Sequence, residues 1–366
     1  MIRKGTGSSK SQSLEVWRGA SILRVIQSAI AASLRVRESE SGQMSKKSGI
    51  LVTGGSGLVG ANAVRMLLDK GERPVIFDVA INEKLLAAFG VDVRSLTIVR
   101  GDIFDLPALV STLRDHDIGR IIHLAAFLGE EVQRRPYSGV RLNLLGTVNV
   151  LEAARLEGVS RVVFSSSGTV YLGSLNEGIK KIDETIPLNP LSVYAAAKAG
   201  AEFVGRTYAQ RYGFEFITVR FAALYGPSPA GLKATREQAI QAMVQAALRG
   251  EATSVNWPYG PSELLYGKDA AKGTVLACLK ENLKGNIFHI GSGEIATGED
   301  IVRALKKHFP KAAITLVKGE RPMPYPEDRI PQDRSRSREE LGYEPEYLLE
   351  RALGDYAETL REIEQR

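Results

Sequence analysis

The sequence predicts an α/β fold, a doubly wound parallel sheet with a smaller, irregular C-terminal lobe. Three observations carry this expectation. Short β-rich runs alternate with helical patterns from Ile50 to about residue 221. The runs are nearly continuous in Val, Ile, Leu and Phe, as in Arg161-Val-Val-Phe, which suits strands covered on both faces. A glycine-rich turn joins the first run to the first helical pattern.

The elements follow in order. Strands are expected at 50–54, 74–79, 96–101, 120–125, 161–166 and 214–221, with helices near 58–70, 82–89, 107–115, 139–157 and 192–212. Beyond about 225 the pattern loosens into Pro- and Gly-rich loops. Helices are expected there near 235–249, 269–280, 298–308 and 348–364, and strands at 286–290 and 313–318. This divides the chain into an extension (1–48), a mainly dinucleotide-binding domain (49–225) and a mainly substrate-binding lobe (226–366) with segments returning to the first domain. In the extension, residues 1–13 read as disordered and 14–36 as an amphipathic helix. Two readings stay open: a targeting or membrane-surface segment, or an extension outside catalysis with the working protein starting at Met44.

Composition narrows the function. The 366 residues are 44% hydrophobic and 25% charged, an ordinary globular mixture. No apolar run is long enough to span a membrane, so no membrane insertion is expected. One cysteine and four histidines do not make a metal cluster, and a cytoplasmic location is expected. Of the net charge of +6, residues 1–43 supply seven cations against three anions, so the body is close to neutral. That argues against nucleic acid and leaves a small-molecule substrate as the expected partner.

Thr53-Gly54-Gly55-Ser56-Gly57-Leu58-Val59-Gly60 has the pattern of a dinucleotide turn. Glycine permits the tight turn and the close approach of a pyrophosphate, and the following helix supplies amide donors. Asp78, ending the second strand run, has the place of an acid that accepts from ribose hydroxyls. No Arg or Lys follows at 79–82 to neutralise a 2′-phosphate, so NAD is expected over NADP. Tyr194-Ala-Ala-Ala-Lys198 places phenol and ammonium on one helix face. A free phenol, with a pKa of about 10, is a poor base at neutral pH, and a neighbouring cation would lower it. Phe164-Ser-Ser-Ser167 ends the fifth strand run at the sheet's carboxyl edge, where a hydroxyl could steady a substrate oxygen. Among other polar candidates, His123 reads as a structural donor and Cys278 as core.

Together with Gly101-Asp102-Ile103, His123-Leu-Ala-Ala126, Asn143-Leu-Leu-Gly-Thr147, Arg220-Phe-Ala-Ala-Leu-Tyr-Gly-Pro227 and Asp333–Gly342, these motifs make residues 49–364 resemble an extended short-chain dehydrogenase/reductase of the NAD-dependent epimerase/dehydratase family, of the UDP-glucose 4-epimerase kind. The resemblance implies a Rossmann domain holding NAD, with Asp102 and Ile103 at the adenine and Ala125 and Ala126 near the ribose and nicotinamide. It implies Ser167 as the catalytic hydroxyl, Tyr194 as acid/base and Lys198 as ribose anchor and pKa modulator. It adds Leu58, Val59, Leu124, Asn143, Ser165 and Phe221 to the coenzyme contacts. It implies a homodimer packed through the helices near 139–157 and 192–212.

Four departures from the family pattern bear on the substrate. The Asp-Glu pair that follows the catalytic Thr in 4,6-dehydratases is here Gly168-Thr169, which disfavours dehydration. The Asn that approaches a substrate diphosphate falls at Ala223, and an Arg that would grip it falls at Ser262. Lys233, Arg236, Lys268 or Arg321 could substitute. Tyr171-Leu172-Gly173 carries an extra residue. The expected function is hydride transfer at a secondary alcohol of a sugar or sugar-derived substrate, by a sugar epimerase. The alternatives are a dehydrogenase of a free sugar, sugar acid or other hydroxy compound, or a non-catalytic NAD sensor.

Overall fold

The computed structural model describes residues 47–175, 179, 181–227, 236–319 and 330–365. The helix expected at 14–36, the start at Met44, and the candidate cations Lys233 and Arg321 lie outside these residues.

Seven parallel strands form the central sheet: β1 (Gly49–Thr53), β2 (Arg73–Asp78), β3 (Thr97–Arg100), β4 (Ile118–His123), β5 (Arg161–Ser167), β6 (Glu215–Phe221) and β10 (Ile287–Ile290). Their order across the sheet is β10-β6-β5-β4-β1-β2-β3. The order reverses between β1 and β4, and at such a switch point the carboxyl ends of the strands open a crevice. Alternation along β1 explains the two apolar layers. Ile50 and Val52 pack on one face with α1 (Leu58–Asp69), while Leu51 packs on the other with α3 (Leu106–Asp115), α6 (Thr147–Glu157) and α7 (Val193–Tyr212).

Local chemistry sets the helix limits. Ser192 caps α7, its hydroxyl accepting from the Ala195 N–H at 3.1 Å, and Gly213 ends the helix in the left-handed region. The helix expected over 139–157 is compound: α5 (Pro136–Val140) runs through a π-helical stretch, Arg141–Gly146, into α6. That widened turn carries Asn143 beside the loop after β4.

The last third splits between two places. β10 joins the central sheet beside β6, and α9 (Gly267–Leu279) packs on α1. The remainder builds a third apolar core with two small sheets, one of β7 (Ala223–Tyr225), β9 (Ser262–Tyr266) and β11 (Ile295–Ala296), the other of β8 (Ala252–Asn256) with β12 (Ala313–Val317). Strands β7, β8, β9 and β11 were not expected from the sequence. They are two to five residues long and sit among turn residues, so no period of two develops.

One polar cluster crosses the interior beneath the carboxyl edge. Arg220 on β6 donates Nε and Nη2 to the Glu202 carboxylate on α7 at 3.0 and 2.6 Å, both side chains being fully buried. Ser166 also donates to Glu202, and Arg220 donates to the Tyr171 hydroxyl, which lies 2.8 Å from His289 Nε2. Breaking such a pair on one side strands a buried charge. Glu202→Gln should therefore lower the unfolding free energy by about 3–5 kcal/mol, read from urea denaturation.

Candidate active site

The glycine turn meets two different demands. A Cβ on Gly54, which has φ of +67°, would lie 2.8 Å from the Ala125 nitrogen. One on Gly60 would overlap the Gly54 carbonyl and lie 2.7 Å from Gly55 Cα. The fold itself requires these two glycines. Gly57 is different: its φ is −78°, and a Cβ there would meet only the Gly54 oxygen at 3.4 Å. Nothing among the described residues demands glycine at 57, whereas close approach of a ligand to the backbone would. The α1 helix that begins after Gly57 has no side-chain cap and no acid in its first turn, so its leading amides suit an anion. These features fit a dinucleotide pyrophosphate.

Asp78 ends β2 beside this turn. Its Oδ2 accepts from the Ser56 N–H at 3.2 Å and the Ser56 hydroxyl at 2.9 Å, which aims the carboxylate along the turn and leaves Oδ1 with only a 3.4 Å contact from the Ala80 N–H. A hydroxyl pair could use that remaining capacity.

The wall after β4 is held by a continuous hydrogen-bond chain. Thr147 donates to the Asn143 carbonyl at 2.8 Å, so at 3.0 Å it must accept from His123 Nε2. The other ring nitrogen, Nδ1, then accepts from the Thr53 hydroxyl at 2.7 Å. Burial holds His123 neutral, with its pKa down to about 3, which fits a structural role. Asn143 is committed as well. Its carboxamide accepts from the Phe127 N–H at 2.8 Å and donates to the Phe127 carbonyl at 2.9 Å. It ties the π-helical stretch to the loop carrying Leu124, Ala125 and Ala126. Ile103 is likewise buried in the core, beneath Gly146, while Asp102 is exposed and caps the Phe104 N–H at 2.9 Å. The Ile103 carbonyl accepts from the Asn149 Nδ2 at 3.1 Å.

The catalytic candidates converge from β5 and α7. The Ser167 hydroxyl accepts from the Thr169 N–H at 3.2 Å and its hydroxyl at 3.0 Å, and interacts with the Tyr194 phenol. Lys198, buried, donates to the Ser165 carbonyl at 2.7 Å and lies 4.8 Å from the Phe164 ring centre. The Ser165 hydroxyl is turned away to the His123 carbonyl at 3.0 Å, and Phe221 is buried at the end of β6. Burial pushes the Tyr194 phenol up to about 12; the hydrogen bond with Ser167 opposes this and the charge of Glu237 reinforces it. Burial lowers Lys198 itself to about 7, against the pull of Glu202.

Two acids, Glu130 and Glu237, escaped the sequence reading. The Tyr259 hydroxyl lies 3.5 Å from Glu130, with the Arg236 guanidinium 4.7 Å from its ring centre. Burial, and then the charge of Glu237, raise the Glu130 carboxyl. Isolated acids on polar helices give no sequence signal of this kind. Of the cations that could grip a diphosphate, Lys268 is paired with Asp355 at 2.6 Å. Among the described residues no group of three or more metal-ligating side chains gathers, and no helix is long and apolar enough to cross a membrane.

The Lys198 shift has a sign that can be measured. The unfolded chain keeps this proton up to about 10.5 and the folded chain only to about 7. Its burial therefore costs stability fully below about pH 7, and the cost fades as pH rises toward 10.5. Lys198→Met should raise the denaturation midpoint near pH 6, with the gain shrinking toward pH 10.

Comparisons with known proteins agree with this geometry. Residues 50–291 match the NAD dependent epimerase/dehydratase family. The dTDP-glucose 4,6-dehydratase of Actinoplanes is 30% identical over 316 residues, covering 81% of this chain and 92% of that protein. The UDP-glucose 4-epimerase of Halalkalibacterium halodurans is 25% identical over 274 residues, covering 70% and 79%. Among solved structures, the UDP-glucose 4-epimerase of Thermus thermophilus in complex with NAD aligns with a TM-score of 0.73 at 25% identity, covering 86% of this chain and 99% of that one. That of Thermotoga maritima with UDP-glucose aligns at 0.72 and 26%, covering 86% and 98%. The chain belongs to the NAD-dependent epimerase/dehydratase family, and its coenzyme is NAD.

Proposed function

We propose that the protein is a sugar epimerase acting at a secondary alcohol of a nucleotide sugar, with Tyr194 as the proton-transfer group, Ser167 as the polarising hydroxyl and Lys198 as the anchor beside the coenzyme ribose. One observation carries this reading: Ser167, Tyr194 and Lys198 converge where β5 meets α7, while Gly168 and Thr169 stand where a dehydratase has its acid and base.

NAD, when bound, supplies a reversible hydride acceptor and a positive charge beside the phenol. The residues of the chain manage the proton. The alcohol proton passes to the Tyr194 oxygen once that oxygen is ionised, and Ser167 donates to the substrate oxygen as it becomes a carbonyl. Because burial favours the neutral phenol, Tyr194 is a ready acid for the return step, and ionising it needs the added positive charge. No second carboxylate follows Ser167 to remove a water, so the ketone can only be reduced again or released. Release is the second reading, a dehydrogenase of a free sugar or sugar acid. It is favoured by Ala223 and buried Ser262 at the two positions of expected diphosphate contacts.

The coenzyme shell proposed here comprises Gly54, Gly57, Leu58, Val59, Gly60, Asp78, Asp102, Ile103, Leu124, Ala125, Ala126, Ser165 and Phe221. A homodimer is also proposed, supported by exposed Leu145, Leu156, Phe203 and Tyr212 on the π-helical stretch, α6 and α7.

Tyr194→Phe should cut turnover by about a hundredfold or more while NAD affinity, measured by calorimetry, stays within about threefold. UDP-glucose, UDP-galactose, free hexoses and sugar acids should be incubated with the enzyme and NAD⁺, following NADH absorbance and product configuration by NMR. Interconversion of the UDP-sugars without net NADH is expected. Net NADH from free compounds with inert UDP-sugars would establish the dehydrogenase instead.

A further inference from the structure

The Ser167 oxygen caps the short turn that follows it, and it receives one neighbour more than a cap needs. It accepts from the Thr169 N–H at 3.2 Å, the bond that opens the turn Gly168–Ser174. The Thr169 hydroxyl lies 3.0 Å from the same oxygen, and the Tyr194 phenol bonds to it from α7. A hydroxyl has one proton to give and two lone pairs to receive with. The Thr169 N–H can only donate, so it takes one lone pair. One proton and one lone pair remain for two hydroxyl neighbours. Among the described residues the Thr169 hydroxyl has no other partner to compete for its proton.

The two remaining places can be filled in two ways. Either Thr169 donates to Ser167 and Ser167 to Tyr194, or a neutral phenol donates to Ser167 and Ser167 to Thr169. Ionising Tyr194 closes the second way, because a phenolate oxygen only accepts. Ser167 must then give its proton to Tyr194, and its free lone pair takes the proton of Thr169. A carbonyl forming on the substrate imposes the same order, since its oxygen also only accepts. The reacting states thus share one direction of bonding, from Thr169 through Ser167 to the acceptor. Neither hydroxyl loses its proton; each is only turned. An ionised carboxylate at 169, where a dehydratase has an acid, would draw the Ser167 proton to itself.

We infer that Thr169 is a positioning residue acting through Ser167: its hydroxyl fills the second lone pair of Ser167 and keeps the Ser167 proton aimed at the Tyr194 oxygen or the forming carbonyl. The inference rests on the proposed function for the roles of Ser167 and Tyr194, and names what prepares the phenol. Of the groups acting on Tyr194, burial and Glu237 on α8 (Arg236–Arg249) favour its neutral form, and Ser167 opposes them. Gly129 of α4 (Gly129–Arg134), which precedes the acid Glu130, lies against the ring, and on α7 the Lys198 ammonium is held at the Ser165 carbonyl.

Thr169→Val keeps the branched shape and removes the hydroxyl, whereas Thr169→Ser keeps the hydroxyl. The readout is kcat/KM for UDP-glucose against pH. In the valine variant the acidic limb should move upward by about one pH unit. At pH 7 kcat then falls about tenfold with KM within about twofold, and the gap closes as pH rises past the limb. The serine variant should keep the limb of the wild type. Should the valine variant not fold, Thr169→Ala removes the same hydroxyl with less bulk and must give the same upward move. An equal loss at every pH, a change confined to KM, or a serine variant as impaired as the valine one would overturn the inference. Wild-type enzyme inert toward every compound of the panel would instead overturn the proposed function. Thr169 is then judged without turnover, from the tyrosinate absorbance of the NAD-loaded protein with Tyr194→Phe as the blank. That absorbance should rise at higher pH in Thr169→Val than in the wild type, and coincident curves would overturn the inference.

Discussion

The site depends on how one helix lies against the end of one strand. Positions 194, 198 and 202 recur every four residues on α7, so their side chains form a single stripe facing β5. The three consecutive serines that end β5 receive this stripe in three different ways. Ser167 meets the phenol with its hydroxyl, Ser165 holds the ammonium with its carbonyl, and Ser166 donates to the Glu202 carboxylate. Glu202 is the most deeply anchored of the three, through its two bonds from Arg220. Sliding α7 by a single residue would rotate the stripe by about 100° and disperse all three contacts.

Much of this was legible in the sequence, for identifiable reasons. Most central strands are apolar and separated by helical patterns, so their existence and type follow from pattern alone. The glycine turn and the Tyr194–Lys198 spacing are local signals, written within eight and five residues. Two kinds of information were not legible. The small sheets of the last third are made of short strands brought together across as many as sixty-one residues, as in β8 and β12, which pair from Ala252 with Ala313. Electrostatics depends equally on distant partners. The spacing of Tyr194 and Lys198 suggests mutual tuning, but burial acts on both groups, opposed by Ser167 at the phenol and by Glu202 at the ammonium. The Gln332 side chain, whose Nε2 reaches residue 168, illustrates the same limit. Nothing near position 332 announces a link to position 168; only the packed structure brings them together.

The relatives span two reaction outcomes. Both a UDP-glucose 4-epimerase and a dTDP-glucose 4,6-dehydratase are similar over most of the chain. What separates such outcomes chemically is the handling of a second proton and a leaving hydroxyl beside the oxidised carbon. Here the two residues after Ser167 are glycine and threonine. Overall similarity to a dehydratase thus carries less weight for the reaction than the few atoms next to Ser167, since the same scaffold accommodates either set.

The place of β10 in the central sheet has a consequence for how the polypeptide reaches its final form. This strand, contributed by Ile287–Ile290, covers the outer edge of β6. A nascent chain leaving the ribosome will have made six of the seven strands long before that cover exists. In the interval the edge of β6 is an open template for pairing with other chains, a hazard that chaperone binding or rapid synthesis would mitigate.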